Sequence, residues 1–434
     1  MKIRSWTKRR KWFLFWMMLL LLAGIGWSLS HRLWPVCQLQ STSDYYFPLG
    51  CDAGFLTRSD ADSFTFYDWH GNKQWHVVLH SPDWTGWTKT PGYKDSHGHA
   101  CSLTKDGMGL ATATVLGNTL QVQRWHQGKL LSEEILPITL TPVTGSTRTN
   151  YSITYQDDER VLVRVTSKPD ISLFILKGGH LVAKGELHNV THLADDGSFY
   201  YQDNGKTLSY FSLIVNHRDI FSKHQWTIAS PWPRQPITLD NSRLLDPRGI
   251  VYGPAGKISI VPNTLGEYQY LSPDRRYLIF ADWTKAAVLS ASSLNAAGIV
   301  MPSSRLEYLA HNDSPLDIRL RNYNTAINAD GRYSALLFYR PGPKVVHIFW
   351  NTRWLRPPLS IGVFNRSGKM VAVAAVKPCH VPDAIARKWE CVTPYYLEPA
   401  LAGISPDGKA VLIKTPVVHS EDDVSYLLTL YRRW

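Results

Sequence analysis

Charge is scarce in this 434-residue chain. Asp, Glu, Lys and Arg together make up 19%, against 44% hydrophobic and 12% aromatic residues. A chain so apolar can bury a core and is not a disordered tail. Cysteine is scarce too, five in all, and no two stand as CxxC, which excludes zinc-ribbon and thioredoxin-type sites. HExxH, a P-loop, GxGxxG ahead of a helix and a Gly-x-Ser-x-Gly elbow are all missing. No catalytic residue, metal ligand set or cofactor is therefore expected from local motifs. A basic stripe is missing as well. Residues 1–40 hold seven of the 47 Lys and Arg and no acid, so the net charge of +12 falls to +5 for the remainder. A nucleic-acid partner is not expected from so even a distribution.

Long apolar runs are absent with one exception. "WFLFWMMLLLLAGIGWSL", 12–29, is 18 residues without a charge and follows a basic cluster ending at Lys11. At about 1.5 Å per residue, such a helix just spans a bilayer core of about 30 Å. The basic flank then stays in the cytoplasm and the rest is exported. Cleavage as a secretory signal is the alternative, with Ser28 and Ser30 at suitable offsets. The organisation expected is a cytoplasmic segment 1–11, a transmembrane signal anchor 12–30, a linker 31–42 and a folded body 43–434. Cleavage would leave that body secreted.

The body repeats one local signal. "ISPDGKAVLI" at 404–413 is echoed by "LTKDGMGLATATV", "LADDGSFYY", "LSPDRRYLIF" and "INADGRYSALLFY". Pro presets the first corner of a type I turn, Asp caps the turn amides, and Gly takes the left-handed position. Each copy marks an antiparallel hairpin, so the turn Asp reads as structural. Turn positions 106, 157, 196, 246, 274, 330 and 407 stand 28 to 77 residues apart, with short β-type runs between them. Periods near 40–50 with three or four strands each are the spacing of propeller blades. The fold class expected is all-β: a β-propeller of four-stranded blades, preceded by one transmembrane helix. Seven blades are preferred, and eight fit the same spacings.

The x-P-D-G-[KR]-x-hydrophobic pattern at 405–413, 272–280 and 329–337 resembles the TolB-like, or PD40, β-propeller repeat, a relative of WD40 repeats. The resemblance spans about residues 45–434, with three good copies. It implies architecture and leaves function open, since such repeats serve both periplasmic scaffolds and the non-catalytic caps of peptidases.

Two loops stand out. "SPDWTGWTKTPGYKDSHGHAC", 81–101, gathers Trp84, Trp87, Tyr93, His97 and His99 between Gly and Pro residues, and "NTRWLRPPLS", 351–360, carries Trp354. Aromatics on a supported loop suit a sugar or protein surface; the bland alternative is that they tuck into the ring. Adjacent carboxylates in "HSEDDVS", 419–425, read as a solvated hairpin loop rather than a Ca²⁺ site. In an exported chain, Cys379 and Cys391 are the best disulfide pair, with Cys37–Cys51 or Cys51–Cys101 next; five buried thiols is the alternative. The function expected is a membrane-anchored binding or scaffold module for a protein, peptide or glycan of the cell envelope. An envelope-polymer hydrolase or lyase with its site in the channel is the alternative. The last unit has only three strands before the chain ends, and "SDYYFPLG", 43–50, is expected to supply the fourth.

Overall fold

In the computed structural model, residues 12–26 (except 14 and 25) and most strands and tight turns between 31 and 433 are described. The longest stretches outside the description are 42–47, 80–99, 139–149, 230–236, 261–266, 291–324, 340–358 and 377–398. The described residues between 12 and 26 are helical. Every described regular element after them is a strand.

The described strands form eight antiparallel sheets. Seven have four strands and the sixth, 267–290, has three described strands. In the first sheet Leu49–Gly50, Gly54–Asp60, Ser63–Asp68 and Lys73–Val78 pair in chain order. The second follows the same pattern with Ala100–Leu103, Gly109–Leu116, Thr119–His126 and Lys129–Pro137. So does the third, with Asn150–Tyr155, Arg160–Ser167, Asp170–Lys177 and His180–Leu187. The fourth and fifth cover 192–229 and 237–260. Thr325–Ile327, Tyr333–Tyr339, Leu359–Asn365 and Met370–Ala375 make the seventh. The 77-residue step between turns is thus one sheet whose second and third strands are far apart in sequence, followed by a long connection.

Each sheet must bury both faces, and it does so against its neighbours. Leu56, Phe64, Phe66 and Trp75 of the first sheet pack with Leu110 of the second. The other face of the second sheet (Ala111, Ala113, Val122) packs with Val161, Val163 and Phe174 of the third. Ile361 and Val363 of the seventh sheet pack with Val411 and Ile413 of the eighth, and Leu412 and Leu430 of the eighth pack with Phe55 of the first. Neighbouring sheets touch in an arc from the sixth, through the eighth and first, to the fifth. Only residues 261–266 separate the fifth sheet from the sixth in sequence. Radial stacking of this kind, with first strand meeting first strand between the second and third, sixth and seventh, seventh and eighth, and eighth and first sheets, is a β-propeller.

The ring is fastened by the chain's own beginning. The eighth sheet holds Ala400–Ile404, Ala410–Val418 and Val424–Arg432, and its fourth, outermost strand is Trp34–Ser41. Trp34 lies opposite Arg432 and Ser41 opposite Tyr426. This corrects the expectation that 43–50 would close the ring. Residues 34–41, read as linker, do so, while Leu49 and Gly50 pair with Leu56 and Phe55 of the first sheet. The physical reason is reach: the closing strand must end early enough for 42–47 to lead to the inner edge of the next sheet. Residues 31–33 add a second tie. Leu33 N donates to Val373 O, and Val373 N donates to His31 O, joining the seventh sheet.

The repeated turn has one construction. Gly107, Gly331 and Gly408 have φ of +70°, +65° and +65°. Their amides donate to the carbonyls of Thr104, Asn328 and Ser405. Thr104 and Ser405 also accept, on their hydroxyls, the amides of Gly109 (2.7 Å) and Ala410 (2.8 Å). Asn328 does the same for Tyr333 with its side-chain oxygen at 3.0 Å. Asp106 accepts the Thr104 hydroxyl and the Met108 amide, and Asp407 accepts the Ser405 hydroxyl and the Lys409 amide. The turn Asp is structural here, as the sequence pattern implies.

A candidate binding end of the ring

In the second, seventh and eighth sheets the first strand runs into the recurring turn, so the ring has two unlike ends. At one end lie the tight turns, locked sheet to sheet. The Asn328 amide donates to Pro406 O at 2.6 Å, Asp52 N donates to Lys105 O at 3.1 Å, and the Trp75 indole donates to Gly107 O at 2.9 Å. The opposite end carries the longer connections. Leu79 and Ala100 flank 80–99, Tyr339 pairs with Leu359 across 340–358, and Val376 and Ala400 flank 377–398. The segments holding Trp84, Trp87, Tyr93, His97 and His99, holding Trp354, and holding Cys379 and Cys391 therefore all leave the ring at this one end. Those eight residues lie outside the described residues, so their side chains and the Cys379–Cys391 pairing are not placed. Glu421, Asp422 and Asp423 are likewise outside, while His419 Nε2 lies 2.7 Å from Ser425 Oγ. Cys37 and Cys51, considered as disulfide partners, are unbridged. Burial pushes the Cys51 thiol up to about 11.

Three cations that the motif search missed lie partway along second strands. Arg58, Arg164 and Lys414 are all on second strands, each two residues past a buried leucine: Leu56, Leu162 and Leu412. Spacing by two puts each cation on its leucine's face, turned toward the next sheet. Arg58 and Lys414 are only 5% and 7% exposed. Burying charge is costly without compensation, and aromatic faces supply part of it. Lys414 Nζ stands 3.9 Å from the Tyr426 ring centre, and the Arg58 guanidinium 5.8 Å from that of Phe64. Arg164 Nε donates to Ser152 Oγ at 3.0 Å. Burial raises the Tyr151 hydroxyl, and the charge of Arg58 opposes that rise, so these two groups from the first and third sheets share one field. The legible signal was Leu-x-Arg/Lys, "LTR", "LVR" and "LIK", a cation where strand alternation demands an apolar residue. Chemically, the arrangement sets positive charge within the sheets, with Arg58 and Lys414 in low-dielectric surroundings. Among the described residues no three His, Cys, Asp or Glu side chains gather as a metal site.

No protein-family model matches the chain, and no curated protein matches it. Among solved structures it is similar to BamB from Moraxella catarrhalis, with 10% identity and a TM-score of 0.36 over 92% of this chain and 99% of that one. It is similar as well to the WD40 domain of SCAP from fission yeast, with 9% identity and a TM-score of 0.45 over 93% and 95%. A third is the Cps50 (Swd1) β-propeller domain of Myceliophteria thermophila, with 11% identity and a TM-score of 0.37 over 91% and 99%.

Proposed function

We propose that this chain is an eight-bladed propeller of the TolB-like, PD40 type, held at a membrane by residues 12–30 and exported beyond it, and that its loop-bearing end binds a protein, peptide or glycan partner. The observation that carries the reading is convergence. The strand ends that lead into 80–99 and into the Trp354 segment 340–358 stand at one end of the ring, and behind it Arg58 and Lys414, buried, and Arg164, half-buried, lie partway along second strands. Loops that vary on a fixed scaffold are where propellers and other scaffolds place recognition.

Support for the anchor comes from the helix itself. Trp12, Phe13, Phe15, Trp16 and the run Met17 to Leu22 are 41–71% exposed, on every face. Apolar surface left bare on all sides suits lipid rather than water. Among the described residues no helix is long and apolar enough to cross a membrane; the span proposed here includes the undescribed 14, 25 and 27–30.

Affinity capture from a detergent extract tests the binding end. Full-length chain is compared with Trp84→Ala/Trp87→Ala and with Lys129→Glu at the turn end. The expected result is a specific partner lost by the Trp pair, kept by Lys129→Glu, at an unchanged melting temperature. Retention of all partners by the Trp pair would sink the assignment. A melting temperature lowered by several degrees would place the two Trp in the core instead, because truncating a buried Trp costs about 3–5 kcal/mol.

A further inference from the structure

We infer that the turn-bearing end of the ring lies against the bilayer surface at the seam between the seventh, eighth and first sheets, and that its basic side chains take anionic lipid headgroups. The inference rests on the anchored reading above and adds an orientation and a ligand chemistry to it.

The geometry begins with the helix exit. The last described helical residue is 26, and His31 is already hydrogen-bonded to the seventh sheet. Five residues reach at most about 18 Å when fully extended, so the helix must leave the ring close to His31. The chain there runs parallel to Met370–Ala375, which leads away from the turn at 365–369. It then enters the eighth sheet with Trp34 opposite Arg432, and Arg432 is also opposite Ala410, the first residue after the Asp407-Gly408 turn. Both registers put the exit at the turn end. The loop-bearing end then points away from the membrane.

The side chains around that exit suit an anionic interface. Lys369 and Lys409 are exposed at the turn tips and Arg32 is exposed beside Val373, with Arg432 and Arg433 half-buried near them. The Arg432 guanidinium meets His70 of the first sheet, and Arg433 lies 5.9 Å from the Tyr333 ring centre. The carboxylates facing them are Asp407 and Asp68. Asp407 is taken up by Ser405 and Lys409 of its own turn, and Asp68 by His70, Asn72 and Gln74. Trp34 and Val36 add exposed apolar surface on the outer face of the closing strand, 36% and 39% accessible. An apolar helix, an exposed Trp and a set of cations within one short reach form the combination that partitions to a headgroup layer. Each cation near an anionic surface adds attraction that fades within a Debye length and is weakened by salt.

The test uses full-length chain in nanodiscs of phosphatidylcholine, with or without phosphatidylglycerol, footprinted by a water-soluble amine-acylating reagent and mass spectrometry. Resistance to alkaline extraction reports insertion separately. The expected result is that Lys369 and Lys409 lose reactivity several-fold when phosphatidylglycerol is present and regain it in high salt, while Lys89 and Lys94 do not change. Lys369→Glu with Arg32→Glu should restore Lys409 reactivity in the anionic discs. Equal reactivity of Lys369 and Lys409 in both lipids, with the helix inserted, overturns the headgroup contact and leaves the anchor standing. Protection of Lys89 and Lys94 instead overturns the orientation. Release of the chain by alkaline extraction overturns the anchored reading and this inference together.

Discussion

Gly408 and Gly178 have nearly the same backbone, with φ of +65° and +60°, yet they are not the same kind of position. A Cβ on Gly178 would meet nothing within 4 Å, whereas on Gly408 it would stand 2.3 Å from the Tyr333 ring. Gly107 lies on Phe66 and Gly331 on Tyr277 in the same way. Tyr277 and Tyr333 are the aromatic residues of the repeat itself, in "DRRY" and "DGRY", so one unit's ring lies on the next unit's glycine. Gly178→Ala should cost about 1–2 kcal/mol, the left-handed penalty alone. Gly408→Ala should cost that plus an overpacking term of about 1–3 kcal/mol. Chemical denaturation of the two variants decides it, and equal losses would show that the ring contact is immaterial. The turn carboxylates give a pH effect. The Thr104 hydroxyl and the Met108 amide hold the Asp106 carboxyl below its ordinary range. For Asp407, burial pushes up, but the Ser405 hydroxyl, the Lys409 amide and the charges of Lys409 and Arg432 outweigh it. A lowered folded value means stability that is present above the unfolded value, about 3.9, and lost as pH falls through the folded one. Asp106→Asn should therefore be less stable than the natural chain at neutral pH, with the gap closing below about pH 3.9. A gap that persists unchanged in acid would show that the turn depends on shape rather than on the carboxylate.

The closing strand is the element on which the ring depends. Without Trp34–Ser41 the eighth sheet would present Val424–Arg432 as a bare edge, a row of unpaired amides open to intermolecular pairing. A chain beginning at residue 31 should stay monomeric and melt in one transition, because it keeps both the strand and the His31–Val373 tie. A chain beginning at residue 42 should melt lower and aggregate, as followed by light scattering during heating. Identical behaviour of the two would mean that closure adds nothing. The sequence signalled the need for a fourth strand, since the last unit has only three. It did not signal which segment fills the place. "WPVCQLQS" is a weak strand by composition, with a proline and three polar residues, while "SDYYFPLG" carries three adjacent aromatics, which favour strand. An outer edge tolerates Pro35, and chain reach, not propensity, decided the pairing.

At the scale of the whole molecule, the two ends of the ring differ: tight interlocked turns stand at one, and the strand ends leading into the long connections stand at the other. If residues 12–30 anchor the chain with its body exported, a phosphatase reporter fused after Trp434 should be active and a cytoplasm-dependent fluorescent reporter dark; the reverse pattern would end that proposal. By itself the sequence determined what depends on a few adjacent residues. Left-handed glycines, Asp caps and period-two strands fix hairpins wherever they occur, because dihedral preference and side-chain-to-backbone hydrogen bonds act within a turn. The same local chemistry told the turn aspartates apart from catalytic ones. What only the tertiary structure decided is what depends on residues far apart in the chain. Residues 34–41 take the seam from 43–50, and Arg58, Arg164 and Lys414 occupy the second strands of three different sheets. Strand pairing over hundreds of residues is chosen by loop reach, packing and burial together, and no short stretch of sequence holds those terms.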